Sequence, residues 1–149
     1  MLLNILIGIS MVGITVAIQA FGTIYWIRTV QRRLARLEVK KHKTRVVSLL
    51  IYTSLFLLIL NTCEAILWGL LYHYLPEISE IKTLEEAIYF SLVTFTTLGF
   101  GDITIGPNYR ILTGIEAMNG ILLIGWSTAL MFATVQNIWK RNWKIENEK

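Results

Sequence analysis

Charge, cysteine and proline are scarce in this chain of 149 residues, and each shortage narrows what the protein can be. Only 16% of the residues are charged, whereas 54% are hydrophobic, and the mean hydropathy is +0.56. Cys63 is the one cysteine, so neither an internal disulfide nor a cysteine metal site can form. The two histidines, His42 and His73, have no ligand partners at a recognisable spacing. The sequence also contains no phosphate loop and no nucleophile motif, so nothing in it indicates an enzyme.

What the chain has instead is three long apolar runs. Residues 2–27 carry no charge, residues 46–75 carry one acid, Glu64, and residues 111–139 carry one acid, Glu116. A helix needs about 20 mostly apolar residues to cross a bilayer. Each run is long enough, so the sequence predicts an all-α membrane protein with three transmembrane helices. The first run is expected to be a retained helix and not a signal peptide, because its basic residues follow the apolar stretch.

The distribution of basic residues predicts the orientation in the membrane. Eight basic residues lie between the first two runs, against Glu38 alone, and four more follow the last run. Short loops rich in Lys and Arg stay in the cytoplasm, so we expect the N-terminus outside and the C-terminus inside. The outer connection, residues 76–110, contains five acids and two basic residues. Those acids either concentrate cations at a pore mouth or only solvate a loop.

A short helix is predicted within this outer connection. Thr83 and Glu86 have the spacing of a capping box, and Pro76 disfavours continuation of the second helix beyond residue 75. The predicted helix covers residues 84–96, about 20 Å at 1.5 Å per residue, which is too short to cross a bilayer. Non-helical backbone is tolerated at membrane depth only where protein buries it or water lines it. The pattern therefore predicts a re-entrant loop whose helix points its negative end at the membrane centre.

The segment that follows this helix reads TTLGFGD, at residues 96–102. Gly99 and Gly101 alternate with other residues, as a backbone does when it must visit the left-handed region at every second position. Such alternation points successive carbonyl oxygens the same way, and rings of these oxygens replace the hydration shell of an ion. The segment resembles the signature T-x-G-[YF]-G-D of potassium channels. Over residues 46–139 the chain resembles a small prokaryotic potassium channel.

The resemblance implies a function and an assembly. K⁺ would be coordinated in filter residues 97–102 by the carbonyls of Thr97, Leu98, Gly99 and Phe100, with the Thr97 hydroxyl as a further ligand and Gly101 completing the strand. Four copies would form a C4 homotetramer in the inner membrane of a prokaryote, with K⁺ ions in the filter and no organic cofactor. Two alternatives remain open, a weakly selective cation channel and a non-conducting scaffold or auxiliary subunit.

Further residues are expected to support the filter by the same resemblance. Tyr89 and Phe90 lie where the family has an aromatic pair behind the filter, although aromatic packing at the membrane interface would also explain them. Tyr89 is expected to bond the outer end of the filter at Asp102. Val93 lies where some members have a Glu that pairs with this Asp.

The third helix, predicted at residues 109–139, would line the pore. Gly120 lies near the position of the family's gating glycine, and Ile121, Ile124 and Thr128 would then face the cavity. Close helix packing explains Gly120 equally well. Buried acids are costly in a membrane, so we expect Glu116 to bond backbone amides behind the filter and Glu64 to bond the top of the third helix. Asn119 is assigned to the cavity.

The first helix, predicted at residues 1–27, is an addition to the simplest channels of this kind. Thr15, Gln19 and Thr23 share one face, which we expect to pack on the pore-forming helices and not on lipid. It has no regular row of arginines and so is not a voltage sensor.

The linker, residues 28–45, is predicted to be a separate basic helix with an apolar stripe at Val30, Leu34 and Leu37. It either lies on anionic lipid or only sets the topology. No nucleic-acid partner is expected, and the tail, residues 140–149, is too short for a sensor domain.

Overall fold

Four helices make up the part of the chain that the computed structural model describes, which is residues 2–35, 43–75, 78 and 81–147. Helix α1 covers Leu2–Ala35, α2 covers Lys43–Tyr74, α3 covers Leu84–Phe95 and α4 covers Arg110–Asn147. No strand occurs within these residues. Three helices are long and apolar enough to cross a membrane, over Leu2–Arg33, Val46–Tyr74 and Arg110–Lys140. The predicted all-α membrane fold with three spans and one short helix is therefore confirmed.

The long helices run further than the sequence reasoning placed them. Helix α1 continues through residue 27, where a boundary was predicted, to Ala35. Of the rest of the predicted linker, residues 36–42 lie outside the described part and residues 43–45 begin α2. Helix α4 continues past residue 139 to Asn147, through most of the predicted tail. No Pro or Gly follows Gly22 before Ala35 or follows Gly125 in α4, so nothing in these stretches stops a helix. The apolar runs mark what fits the membrane, not where the helices end.

Helix α3 lies against both α2 and α4, and the main core forms where the three meet. Its members are buried side chains from these helices and from the segments that flank α3: Ala65, Trp68, Tyr72, Ile81, Ala87, Phe90, Phe95, Ile105, Leu112 and Leu123. Gly69 lets α2 approach the backbone of α3, since a Cβ there would lie 2.9 Å from the Ile88 Cα. The short helix is therefore fixed from two sides, although it does not itself span the membrane.

The polar face of α1 packs on α4, as predicted. Thr15 and Gln19 are fully buried and Thr23 is 8% exposed. The Asn119 amide donates to the Thr15 hydroxyl at 2.8 Å, and the Gln19 amide donates to the Ser127 hydroxyl at 2.9 Å. The assignment of Asn119 to the cavity is wrong, because its amide is buried at the contact with α1.

The C-terminal parts of α1 and α4 and the N-terminal part of α2 form a second, smaller core. Val30 of α1, Leu49 of α2 and Ile138 of α4 are all buried there. Val30 was predicted in an apolar stripe that either lies on lipid or only sets the topology; its side chain is covered by protein, which contradicts the lipid alternative at this residue. Leu37 lies outside the described residues. Helix α1 is thus attached to α4 along most of its length.

Candidate functional site

The capping box at the start of α3 is present. The Thr83 hydroxyl accepts from the Glu86 amide at 3.1 Å, and the Glu86 carboxylate accepts from the Thr83 amide at 3.1 Å and the Lys82 amide at 2.7 Å. These two backbone bonds lower the pKa of Glu86, because they favour its charged form. The box fixes where α3 begins, and α3 then runs to Phe95 with Thr96 as its C-cap.

The segment after α3 has the alternating backbone that its sequence predicts. Gly99 and Gly101 have φ of +57° and +79°, in the left-handed region. Thr97 also lies there, with φ of +58°, and it is the one non-glycine residue of the described part with a positive φ. The left-handed positions are thus every second residue, 97, 99 and 101. Sequence reasoning identified the two glycines but missed Thr97, because a threonine in this region is strained and is not expected there.

A carbonyl of α3 anchors the inner end of this segment. The Val93 carbonyl accepts from the Leu98 amide at 2.9 Å and from the Gly99 amide at 3.3 Å. The prediction placed Val93 in the filter support through its side-chain position, but its backbone oxygen is what reaches the segment. The backbone of residues 98 and 99 is therefore bonded directly to α3.

The C-terminal end of the segment is held by the bond expected between Tyr89 and Asp102. The Tyr89 hydroxyl donates to the Asp102 carboxylate at 2.7 Å. This bond lowers the pKa of Asp102 and raises the pKa of Tyr89. Phe90 does not share this position, since it is buried and meets the Tyr72 ring edge to face at 5.2 Å. The aromatic pair is therefore divided: Tyr89 contacts the segment, and Phe90 fixes α3 to α2.

Glu116 lies behind α3, but not with the partners expected for it. Its carboxyl group is bonded by the Tyr72 hydroxyl at 2.7 Å and by the Ser91 hydroxyl at 2.5 Å, and not by backbone amides. The Ser91 hydroxyl also lies 2.6 Å from the Ala65 carbonyl oxygen. All of these groups are buried. Sequence reasoning missed Ser91 and Tyr72, although a buried acid requires donors and these are polar residues on the adjacent helices.

Glu64 is a second buried acid, and the bond expected between it and the third helix is absent. Neither of its carboxyl oxygens has a hydrogen-bond partner among the described residues, and the residue is fully buried. The described part also contains no group of three or more His, Cys, Asp or Glu side chains that could hold a metal ion.

Gly120 is in tight contact with the inner end of α3. A Cβ at this position would lie 2.7 Å from the Phe95 carbonyl carbon and closer still to its oxygen. Packing therefore accounts for this glycine, and a hinge there stays a prediction, since α4 is one continuous helix. Ile121, Ile124 and Thr128 are exposed in the single chain. Their assignment to a cavity is likewise untested.

Comparison with known proteins identifies one family. A family model described as "Ion channel" matches residues 60–137, just over half of the chain. The match covers all of α3, the alternating segment and parts of α2 and α4, whereas α1 lies outside it. No curated protein matches the chain, and no solved structure matches it.

Proposed function

This chain belongs to the ion channel family, and on that basis we propose that it is one subunit of a potassium-selective channel that conducts K⁺ passively. Membership indicates a channel and not an enzyme. The observation that carries the finer proposal is the left-handed backbone at Thr97, Gly99 and Gly101, in alternation with Leu98 and Phe100. Rings of backbone carbonyls are the groups that replace the hydration shell of K⁺ in a selectivity filter.

Phe100 supports selectivity because it keeps the row of backbone carbonyls continuous. It separates the two left-handed glycines with an ordinary residue, so the carbonyls of residues 97–100 can form a continuous row. K⁺ passes along this row as the transported substrate. The negative end of α3 points toward the same region and stabilises a cation that is losing water.

We propose a C4 homotetramer, because one chain supplies one filter segment and a coordinating ring needs several. Every residue of the segment is exposed in the single chain, and the side chains of Leu98 and Phe100 are 59% and 65% exposed. Large apolar side chains in that position are typical of a surface that other copies cover. The native mass of the purified protein in detergent tests this directly. A stable dimer or pentamer would contradict the proposal.

The proposed orientation places the N-terminus outside and the C-terminus in the cytoplasm of a prokaryotic inner membrane. Arg28 and Arg32, at the inner end of α1, are exposed, and each surface basic residue adds about 1 kcal/mol of attraction to an anionic leaflet. We therefore propose anionic lipid as a partner at this end. Flux in neutral and in anionic liposomes tests it, with Arg28→Gln and Arg32→Gln as variants. Equal flux of the natural sequence in both liposomes would leave these residues with a role in topology alone.

Purified protein in liposomes tests the function itself. We expect K⁺ flux that Na⁺ does not support, with the reversal potential in mixed salts following the K⁺ gradient. A reversal potential that follows both ions would instead indicate a weakly selective cation channel. Absence of flux from a correctly assembled oligomer would indicate a non-conducting scaffold.

A further inference from the structure

The hydroxyl group of Ser91 lies between two acceptor groups. Its oxygen is 2.6 Å from the Ala65 carbonyl oxygen and 2.5 Å from a carboxyl oxygen of Glu116. A serine hydroxyl has one hydrogen to donate and can accept others. The Ala65 carbonyl has none. Both short contacts are hydrogen bonds only if the second hydrogen comes from Glu116.

The other oxygen of Glu116 is already an acceptor. The Tyr72 hydroxyl donates to it at 2.7 Å, and Glu116 and Ser91 are fully buried while Tyr72 is 1% exposed. If the carboxyl group were ionised, two oxygen atoms would face each other at Ser91 without a hydrogen between them. If it is a neutral acid, the Glu116 hydroxyl donates to Ser91, Ser91 donates to Ala65, and Tyr72 donates to Glu116. Each hydrogen is then used once.

We propose that Glu116 is a neutral carboxylic acid that donates to Ser91, and that it is a positioning residue for the filter. A charge buried here would cost far more than a neutral acid with its bonds satisfied. The three-bond arrangement connects α2, through Ala65 and Tyr72, to α3 and α4. We name Ala65, Tyr72, Ser91 and Glu116 together the carboxyl clamp.

The carboxyl clamp reaches the filter through α3. Ser91 lies two residues before Val93, whose carbonyl bonds the Leu98 and Gly99 amides. One turn further along both helices, Gly120 of α4 is in contact with the Phe95 carbonyl of α3. The bond between Glu116 and Ser91 therefore fixes α3 one turn away from the close contact between Gly120 and the Phe95 carbonyl. An effect of Glu116 on conduction rests on the proposed function, whereas the presence of a proton on its carboxyl group does not.

Glu64 provides the control for any measurement of a protonated acid. It is as buried as Glu116 and lies on α2 two turns before Tyr72, but its carboxyl oxygens have no partner among the described residues. It can add to a signal from neutral carboxyl groups, but it does not belong to the carboxyl clamp.

Infrared spectroscopy of the purified oligomer at neutral pH tests the proton. We expect a carbonyl band of a neutral carboxylic acid that Glu116→Gln removes and Glu64→Gln leaves in place. Tyr72→Phe should shift this band to higher frequency, because the acid carbonyl loses its donor. A spectrum that is the same in the natural sequence and in both the Glu116→Gln and the Tyr72→Phe variants overturns the proposal.

Potassium flux tests the positioning role. A glutamine at residue 116 keeps a donor to Ser91 and an acceptor for Tyr72, so Glu116→Gln should stay within about twofold of the natural flux, whereas Glu116→Leu, which leaves buried polar groups unpaired, should lose about tenfold or more. Equal losses in the two variants would overturn the role. If the natural sequence conducts no K⁺ at all, the proposed function fails, and the infrared result still decides the state of Glu116.

Discussion

The proposed filter segment, residues 96–102, and the helices behind it are opposite kinds of structure within one chain. Residues 96–102 are exposed, and every second residue, 97, 99 and 101, has a left-handed backbone. Hydrogen bonds to the Val93 carbonyl and to the Tyr89 hydroxyl hold the two ends of the segment. The region where α2, α3 and α4 meet is buried, and its polar side chains bond one another. The buried part has its partners within the chain, whereas the exposed segment would be covered by other copies in the proposed tetramer.

If residues 96–102 form the proposed filter, the difference explains how a conducting site can be both precise and accessible. A filter must expose its carbonyls to the ion, so it cannot be held by burial of its own side chains. Its geometry then depends on a rigid support, as functional sites do when their surroundings fix them. Changes in the filter should abolish conduction without loss of fold, whereas changes in the support should weaken the fold first.

Replacing a glycine of the filter should have the largest effect. In the variant Gly99→Ala, a Cβ would be forced into the left-handed region, although it meets nothing within 4 Å in the single chain. The strain costs about 1–3 kcal/mol at such positions and moves the carbonyl row. We expect K⁺ flux to be lost while the oligomer remains, measured by liposome flux and native mass. Unchanged flux and selectivity would remove Gly99 from the filter.

Replacing Gly120 should disturb the support behind the segment instead. In Gly120→Ala, the added Cβ would overlap the Phe95 carbonyl, and overpacking of this kind costs about 1–3 kcal/mol or more. We expect a lower thermal stability of the oligomer and reduced flux together. Gly13→Ala is the control, since Gly13 is also helical and a Cβ there meets nothing within 4 Å. If Gly120→Ala is as stable as Gly13→Ala, packing does not explain this glycine.

Sequence reasoning succeeded where the requirement is local. The capping box at Thr83 and Glu86 and the left-handed backbone at Gly99 and Gly101 each depend on a few neighbouring residues, so their spacing was enough. The bond from Tyr89 to Asp102 was expected because the resemblance places the two groups side by side. The polar face of α1 was found because a buried polar side chain in a membrane needs a partner.

The same reasoning failed where helices must first be brought together. The carboxyl clamp joins Tyr72, Ser91 and Glu116 from three helices, and no spacing in the sequence indicates that they meet. Asn119 was assigned to the pore because the helix that covers it, α1, was not yet placed. Thr97 was missed for a different reason, since a threonine is not expected in the left-handed region and the bond from its amide to the Thr94 carbonyl at 2.9 Å is not visible in the sequence.

The attachment of α1 can be weakened by a single side chain. In Gln19→Leu the bond to Ser127 is lost, and such bonds in membrane proteins average about 0.6 kcal/mol. We expect a small decrease in the thermal stability of the oligomer in detergent, and a larger one when residues 1–27 are deleted. Ser10→Ala is the matched control, because Ser10 is exposed and its hydroxyl bonds the Leu6 carbonyl of its own helix. If the deletion leaves stability unchanged, α1 does not brace the pore.

The bond at the outer end of the filter should show the smallest effect, and it can be measured without conduction. Asp102 is the one aspartate of the chain, so ¹³C-aspartate gives a single carboxyl signal in NMR. The Tyr89 bond lowers its pKa; the bond therefore stabilises the folded state above the ordinary aspartate pKa, and this contribution is lost as the pH falls through the lowered value. Tyr89→Phe should move the pKa of Asp102 up toward its ordinary value and change K⁺ flux only slightly.

The control is Phe90→Leu, which alters the buried neighbour and leaves the Tyr89 hydroxyl in place, and it should not move the pKa of Asp102. If Tyr89→Phe leaves the titration of Asp102 unchanged, the outer end of the filter is held by something other than this bond.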